Sequence, residues 1–545
     1  MKQIKYAILT IVLGLGLTSC GDSFLTQYPE GGVLLEDQYK SLPDKLEGAI
    51  KGIYSKLYEY GDHDTFGQRS MDMYADIQSG DMAMKKSSYG WFENYERGNY
   101  YAYTRSYAWS FYYEIIHLAN LCDIAIEPNK TEIFDGIVSG DPEETIAQQG
   151  YYYGQVLALR GWAYAHLLNI YADPRDKDNA NLDDKVLPIY TGAEVAADTL
   201  GCPLSTVKDV YSRIYEDLSE AVELLDFYGK LNQRGSKLEV DADVARLILA
   251  YAMLNRGDQS SKVADGKNCY QIALEQAQAV ISGGKYPMLK LNELTTTGFC
   301  DVNASNWMWA EDVTVENTTA LGSFFGQVDI HTYSYAAAGD TKGIDSNLYD
   351  EIAATGWDAR KDWFRDGAGE SPIGNGPKKS GFAYCPDGKF YCPKTKHTTD
   401  LSKVDRDWLC DNVFMRVELA YLIAAEAAYS NGDEATAWTY LDLLCAERIA
   451  DGKSAEYSAW KAATSVENAI IYNWRVEMWG EGYSMQLFRR LQKTKTLGKN
   501  HLSRSNKTIS ISADGELFQC QIPTSEVRYN PDLVKTGKST LTHKN

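Results

Sequence analysis

Residues 146–174, IAQQGYYYGQVLALRGWAYAHLLNIYADP, decide the fold. Apolar and aromatic side chains fill this run without the strict alternation of a strand, and Asp173-Pro174 closes it, so it predicts one long buried helix. Patterns of the same period lie on either side. Leu46, Ile50, Ile53, Tyr54, Leu57 and Tyr58 recur at three-to-four spacing, as do Trp109, Tyr112, Tyr113, Ile116, Ala119 and Cys122. After Pro203, with Ser205 as the expected N-cap, Val207, Val210, Tyr211, Ile214, Leu218, Ala221 and Leu225 mark one helix face. Two further helices are expected over 242–255 and 270–281, separated by a turn at Gly257.

Ala245, Ala250, Ala252, Ala273 and Ala277 provide small residues where paired helices approach closely, which reads as helical hairpins of the tetratricopeptide kind. From 288 to 411 the character changes. Glycine, asparagine, threonine and aromatics crowd together, and strand-like pieces stand out at 306–313 and 381–391. Helices are expected again over 414–431, 434–450 and 466–491, before strand-like pieces at 508–512 and 517–522. The expected fold is mainly α: tetratricopeptide-like helical hairpin repeats packed against a loop-rich irregular region with a few short strands. Its parts are 1–19 as leader, 20–35 as tether, 36–287 as helical repeats, 288–411 as the irregular ligand-binding part, and 412–545 packed as one body with 36–287.

The chain has 545 residues and a formal charge of −21, which disfavours a nucleic-acid partner. Tyrosine (39) and tryptophan (12) outnumber phenylalanine (15), a bias toward rings that keep one wet edge. At the N-terminus, Lys2 and Lys5 precede an apolar run from Tyr6 to Leu17 that is too short to span a bilayer and suits a signal peptide. Leu17-Thr18-Ser19-Cys20 resembles the lipobox of bacterial lipoproteins, which implies cleavage before Cys20 and lipid on that cysteine. Membrane attachment is then expected through lipid alone. Cys385 and Cys392 flank the turn signal Asp387-Gly388 and form the one local disulfide candidate.

Six ordered segments resemble the SusD/RagB family of outer-membrane nutrient-binding lipoproteins. They are Phe24-Leu25-Thr26-Gln27-Tyr28-Pro29; Trp109 to Asn120; Ala158-Leu159-Arg160-Gly161-Trp162 through Pro174; Val210-Tyr211 to Ala221; Arg416 through Ala427; and Arg475-x-Glu477-x3-Glu481-Gly482 followed by Ile522-Pro523 and Asn530-Pro531. Tyr483, where the family pattern has arginine, marks a divergent member, as does an acidic insertion over 173–188. The resemblance implies an oligosaccharide ligand and a SusC-like TonB-dependent barrel transporter as partner. Capture of peptides by the same architecture is the alternative, and a surface glycoside hydrolase a more distant one.

No nucleophile elbow, His-Glu-x-x-His, phosphate loop or zinc cluster occurs, so no catalytic residue, metal or cofactor is assigned. The oxygen-rich insertion lacks the glycine and final glutamate of an EF-hand and reads as a solvated loop. Arg416, Glu426, Arg475, Glu477 and Glu481 read as helix-orienting ion pairs. Sugar recognition calls for flat rings beside amides and charged groups. Two segments qualify. Residues 76–103 supply Trp91, Tyr95, Asn94, Arg97 and Asp81, and residues 303–335 supply Trp307, Trp309 and Tyr333. Trp91, Tyr95, Trp307 and Tyr333 are the first candidates for ligand contact.

Overall fold

A computed structural model describes residues 43–97, 104–172, 180–192, 201–232, 236–258, 262–295, 298–331, 334–374, 378–391, 409–510 and 520–535. Helices dominate: α1 (Pro43–Lys56), α2 (Gln68–Ser79), α3 (Thr104–Ile126), α4 (Glu144–Tyr171), α5 (Val207–Asn232), α6 (Ala242–Arg256), α7 (Cys269–Gly283), α8 (Glu418–Ser430), α9 (Glu434–Ala446), α10 (Val466–Glu477) and α11 (Ser484–Arg490). From α3 to α9 each of these helices packs on the next, giving a row of hairpins of the tetratricopeptide kind. Among the described residues, four two-stranded antiparallel ribbons include β1 (Met82–Met84) with β3 (Lys342–Ile344) and β2 (Trp307–Glu311) with β4 (Asn412–Arg416).

The long helix anticipated from 146 to 171 is α4, and it lies against α5 at very short range. A Cβ built on Gly154 would stand 2.7 Å from Leu225 Cγ, and one on Gly161 would stand 2.8 Å from Leu218 Cγ. Glycine at these positions lets two long helices share a seam. Arg160 crosses the same seam, with Nε and Nη2 each 2.9 Å from the Asp217 carboxylate. The five alanines named for close approach in α6 and α7 are all buried.

Several expected boundaries shift. α5 is capped by Thr206, not Ser205: the Thr206 hydroxyl accepts from Asp209 N–H at 3.1 Å while the Asp209 carboxylate accepts from Thr206 N–H at 3.1 Å. Residues 414–416 belong to β4, so α8 begins only at Glu418. The helix expected over 466–491 breaks between α10 and α11, where Gly480 and Gly482 have φ of 79° and 85°. The segment 381–391 is not a strand. The N–H groups of Asp387, Gly388 and Lys389 all turn onto the carbonyl of Trp363, which curls the backbone around one acceptor. For the same reason the Cys385–Cys392 bridge is corrected. Cys385 is a free, buried thiol, whereas Cys410 is disulfide-bonded and Cys392 lies outside the described residues.

One continuous apolar core runs from Leu46 to Cys520, and a buried charge cluster crosses its C-terminal part. Glu477 receives Arg360 Nη1 at 3.0 Å, Arg416 Nη1 at 2.7 Å and Arg448 Nε at 3.0 Å. These four side chains are fully buried, and the guanidinium groups hold the Glu477 carboxyl well below its ordinary range. Arg490 pairs with Glu426 at 2.6 Å and Arg475 with Asp81 at 2.8 Å. The acid and base residues singled out from sequence are structural, but they pair between elements and not along one helix.

Candidate functional site

Pairing of β1 with β3 brings together two loops about 250 residues apart in sequence. Met84 lies opposite Lys342, so the segment leaving β1 runs beside the segment entering β3. Asp340 clamps them. Its Oδ1 accepts from Tyr89 N–H at 2.8 Å and from Ser88 N–H. Tyr89 and Trp91 are thereby held next to Tyr335, with ring centroids 5.3 Å and 6.0 Å away. The turn after α1 adds His63, 5.0 Å from both Trp91 and Tyr335, and Tyr60, 5.7 Å from His63.

This group of five rings opens outward. Tyr60 is 49% and Tyr89 55% exposed, while His63, Trp91 and Tyr335 are half-buried. Within it, Trp91 Nε1, His63 Nδ1 and Asp340 Oδ2 are buried and have no hydrogen-bond partner among the described residues. Buried polar atoms without partners are uncommon, and here they stand beside flat apolar faces.

The floor is built from buried groups. Gln327 Nε2 donates to the His63 carbonyl at 2.7 Å, and its Oε1 accepts from Lys342 Nζ at 2.8 Å. Burial pulls the Lys342 ammonium down to about 8 and pushes the Asp64 carboxyl up to about 6. Gly322 lies directly beneath Tyr60: a Cβ there would stand 2.3 Å from the ring, so only glycine leaves the ring its seat.

The sequence-named residues divide sharply. Trp91 is in the cluster, and Asn94 and Arg97 are exposed on the short helix Glu93–Glu96 and its end, where Arg97 pairs with Glu93. Tyr95 is only 6% exposed and stacks on Tyr74 at 4.3 Å, so it supports the fold. Asp81 is buried and bound by Arg475 and Lys495. Trp307 and Trp309 do not form a shelf. Strand β2 is covered on both faces: Trp307 donates to the Gly298 carbonyl at 2.8 Å, and Trp309 packs 5.5 Å from Trp162 and 5.4 Å from Phe414. Tyr333, Cys20 and residues 173–179 of the acidic insertion lie outside the described residues.

Tyr60 and His63 were missed by sequence reasoning. Their only local signal is the turn-rich run Tyr60-Gly61-Asp62-His63-Asp64 after a helix. One arrangement invites comparison with hydrolases, because Asp387 contacts both His331 Nε2, at 2.7 Å, and Ser371 Oγ. The serine hydroxyl donates to the Asp387 carboxylate.

A row of helical hairpins carries the open aromatic cluster. Residues 36–249 match the family model described as "Starch-binding associating with outer membrane", SusD-like. Solved structures of the same fold include a SusD-like carbohydrate binding protein from Bacteroides vulgatus, 22% identical with a TM-score of 0.68, covering 92% of this chain and 99% of that one. A SusD superfamily protein from Bacteroides thetaiotaomicron is 21% identical with a TM-score of 0.65, covering 90% and 98%. Another, from Bacteroides fragilis, is 18% identical with a TM-score of 0.62, covering 90% and 99%. No curated protein matches the chain. Residues 36–249 are thus similar to the SusD-like family, and the chain shares its fold with the SusD structures.

Proposed function

We propose that this chain is a non-catalytic, lipid-anchored outer-membrane protein that captures oligosaccharides and passes them to a TonB-dependent barrel transporter. Capture occurs at the cluster of Tyr60, His63, Tyr89, Trp91 and Tyr335. The observation that carries the reading is the conjunction of exposed rings with the unpartnered Trp91 Nε1, His63 Nδ1 and Asp340 Oδ2. Stacked pyranose C–H faces supply contact area, and sugar hydroxyls satisfy the three polar atoms. The match to a starch-binding family and the likeness to a carbohydrate binding protein of the same fold support the same ligand class. Among the described residues no helix is long and apolar enough to cross a membrane, which agrees with attachment through Cys20. Calorimetry of the purified chain against a panel of oligosaccharides and peptides, with product analysis of each mixture, tests the proposal. Saturable heat with an oligosaccharide and no cleavage is expected; binding to peptides alone, or bond cleavage, would overturn it.

A further inference from the structure

A partly open pocket of ≈ 100 Å³ is lined by α2, α4, α6, strand β4 and the turn between α10 and α11. Its wall is chiefly aromatic and apolar, with Tyr112, Trp162, Tyr251 and Phe414 among the rings facing the space. One side differs. His166 and Asn169, three residues apart on the same face of α4, line it together with Gln486, whose amide nitrogen donates to the Asn169 carbonyl at 3.1 Å. Gln486 Oε1 is buried without a partner, and the side chains of His166 and Asn169 make no hydrogen bond to any described residue. The two carboxylates at the rim are already occupied. Asp72 is held by Gln68 and Arg69 at 2.8 Å and 2.7 Å, and Glu481 by Arg416 and Lys389 at 2.9 Å and 2.8 Å.

We infer that this cavity is a second binding site, for a small neutral molecule with one aromatic ring and a hydroxyl or N–H group. Size sets the first limit: a dry apolar cavity of about 150 Å³ takes a benzene ring, and this pocket of ≈ 100 Å³ with its adjoining pocket of ≈ 50 Å³ leaves room for no more than one ring. Charge sets the second. Among the described residues the carboxylates that line it, Asp72 and Glu481, are paired, and burial pushes the His166 imidazole down to about 3, which keeps it neutral. His166 stacks parallel to Tyr112 at 5.0 Å, so its nitrogens are presented edge-on to a ligand. Each buried water needs two to four polar partners, and beyond the strip of His166, Asn169 and Gln486 the lining adds the unpartnered Tyr251 hydroxyl, so a bound water is the competing occupant. A sugar ring would leave most of its hydroxyls against aromatic carbon. A second, smaller cavity of ≈ 50 Å³ shares Met71, Ala75, Asn169, Ile170 and Gln486 with the first and extends the space toward Tyr95 and Ala108.

Phenol and benzene are the probes, used on the full purified chain by calorimetry and by soaking crystals. Phenol is expected in the cavity at one per chain, its oxygen within hydrogen-bond distance of His166, Asn169 or Gln486, and about fivefold tighter than benzene, since one net hydrogen bond contributes about 1 kcal/mol. His166→Leu is expected to bring phenol down to the affinity of benzene while keeping the oligosaccharide response. Gln486→Met gives the same reading should His166→Leu not fold. Ordered water alone at saturating phenol, equal affinity for the two probes, or unchanged phenol affinity in both variants would overturn the site.

Discussion

Gly322 and Lys342 show how single residues set the cluster. The Tyr60 ring occupies the space that a Cβ on Gly322 would take, so Gly322→Ala must displace the ring or its turn. That variant is expected to keep the melting temperature within a few degrees and weaken oligosaccharide binding about tenfold, roughly what a lost stacking contact contributes, as read by titration calorimetry. Lys342 makes a different prediction. Its ammonium sits near 8 when folded against an ordinary 10.5, so between those values the unfolded chain holds more protons and stability rises with pH. Lys342→Met is expected to flatten part of that rise in melts between pH 8 and 10. The remaining slope is shared by Lys389, which burial also pulls down to about 8, and by Lys495 and Lys237, which burial lowers as well.

At the scale of elements, the α4–α5 seam depends on glycines that helix propensity alone would disfavour. A Cβ on Gly150 would stand 2.3 Å from the ring of Tyr228, whose hydroxyl is fixed to the Ile133 carbonyl. Gly150→Ala therefore costs about 1–3 kcal/mol despite alanine's better propensity, measurable as a lower midpoint in denaturant. The helices themselves were legible, because a three-to-four periodicity over long runs reports a buried face directly. Their breaks were less so. Arg416 belongs to a strand because β2 pairs with it, and the turn after Glu477 follows from two left-handed glycines inside an apolar pattern. The site was legible only in part. Trp91 was found from its loop, but Trp307 and Trp309 share the same aromatic and polar company while β2 is covered on both faces. Composition does not distinguish a ring on a shelf from a ring in a core; the partner strand and Trp162, distant in sequence, decide it.

For the whole molecule, the buried Arg360, Arg416 and Arg448 around Glu477 tie the loop before the helical C-terminal part to α10. Glu477→Ala leaves three guanidinium groups short of a carboxylate and is expected to cost about 3–5 kcal/mol in an unfolding experiment. The same rigidity lets three loops from separate parts of the chain meet as one aromatic surface. A crystal structure of the chain with a bound oligosaccharide tests that claim most directly. The account predicts a sugar ring lying on Trp91 between Tyr60 and Tyr89, with hydroxyls bonded to Trp91 Nε1 and Asp340 Oδ2. A saturating oligosaccharide seated on any other surface, with those two atoms still unpartnered, would contradict it.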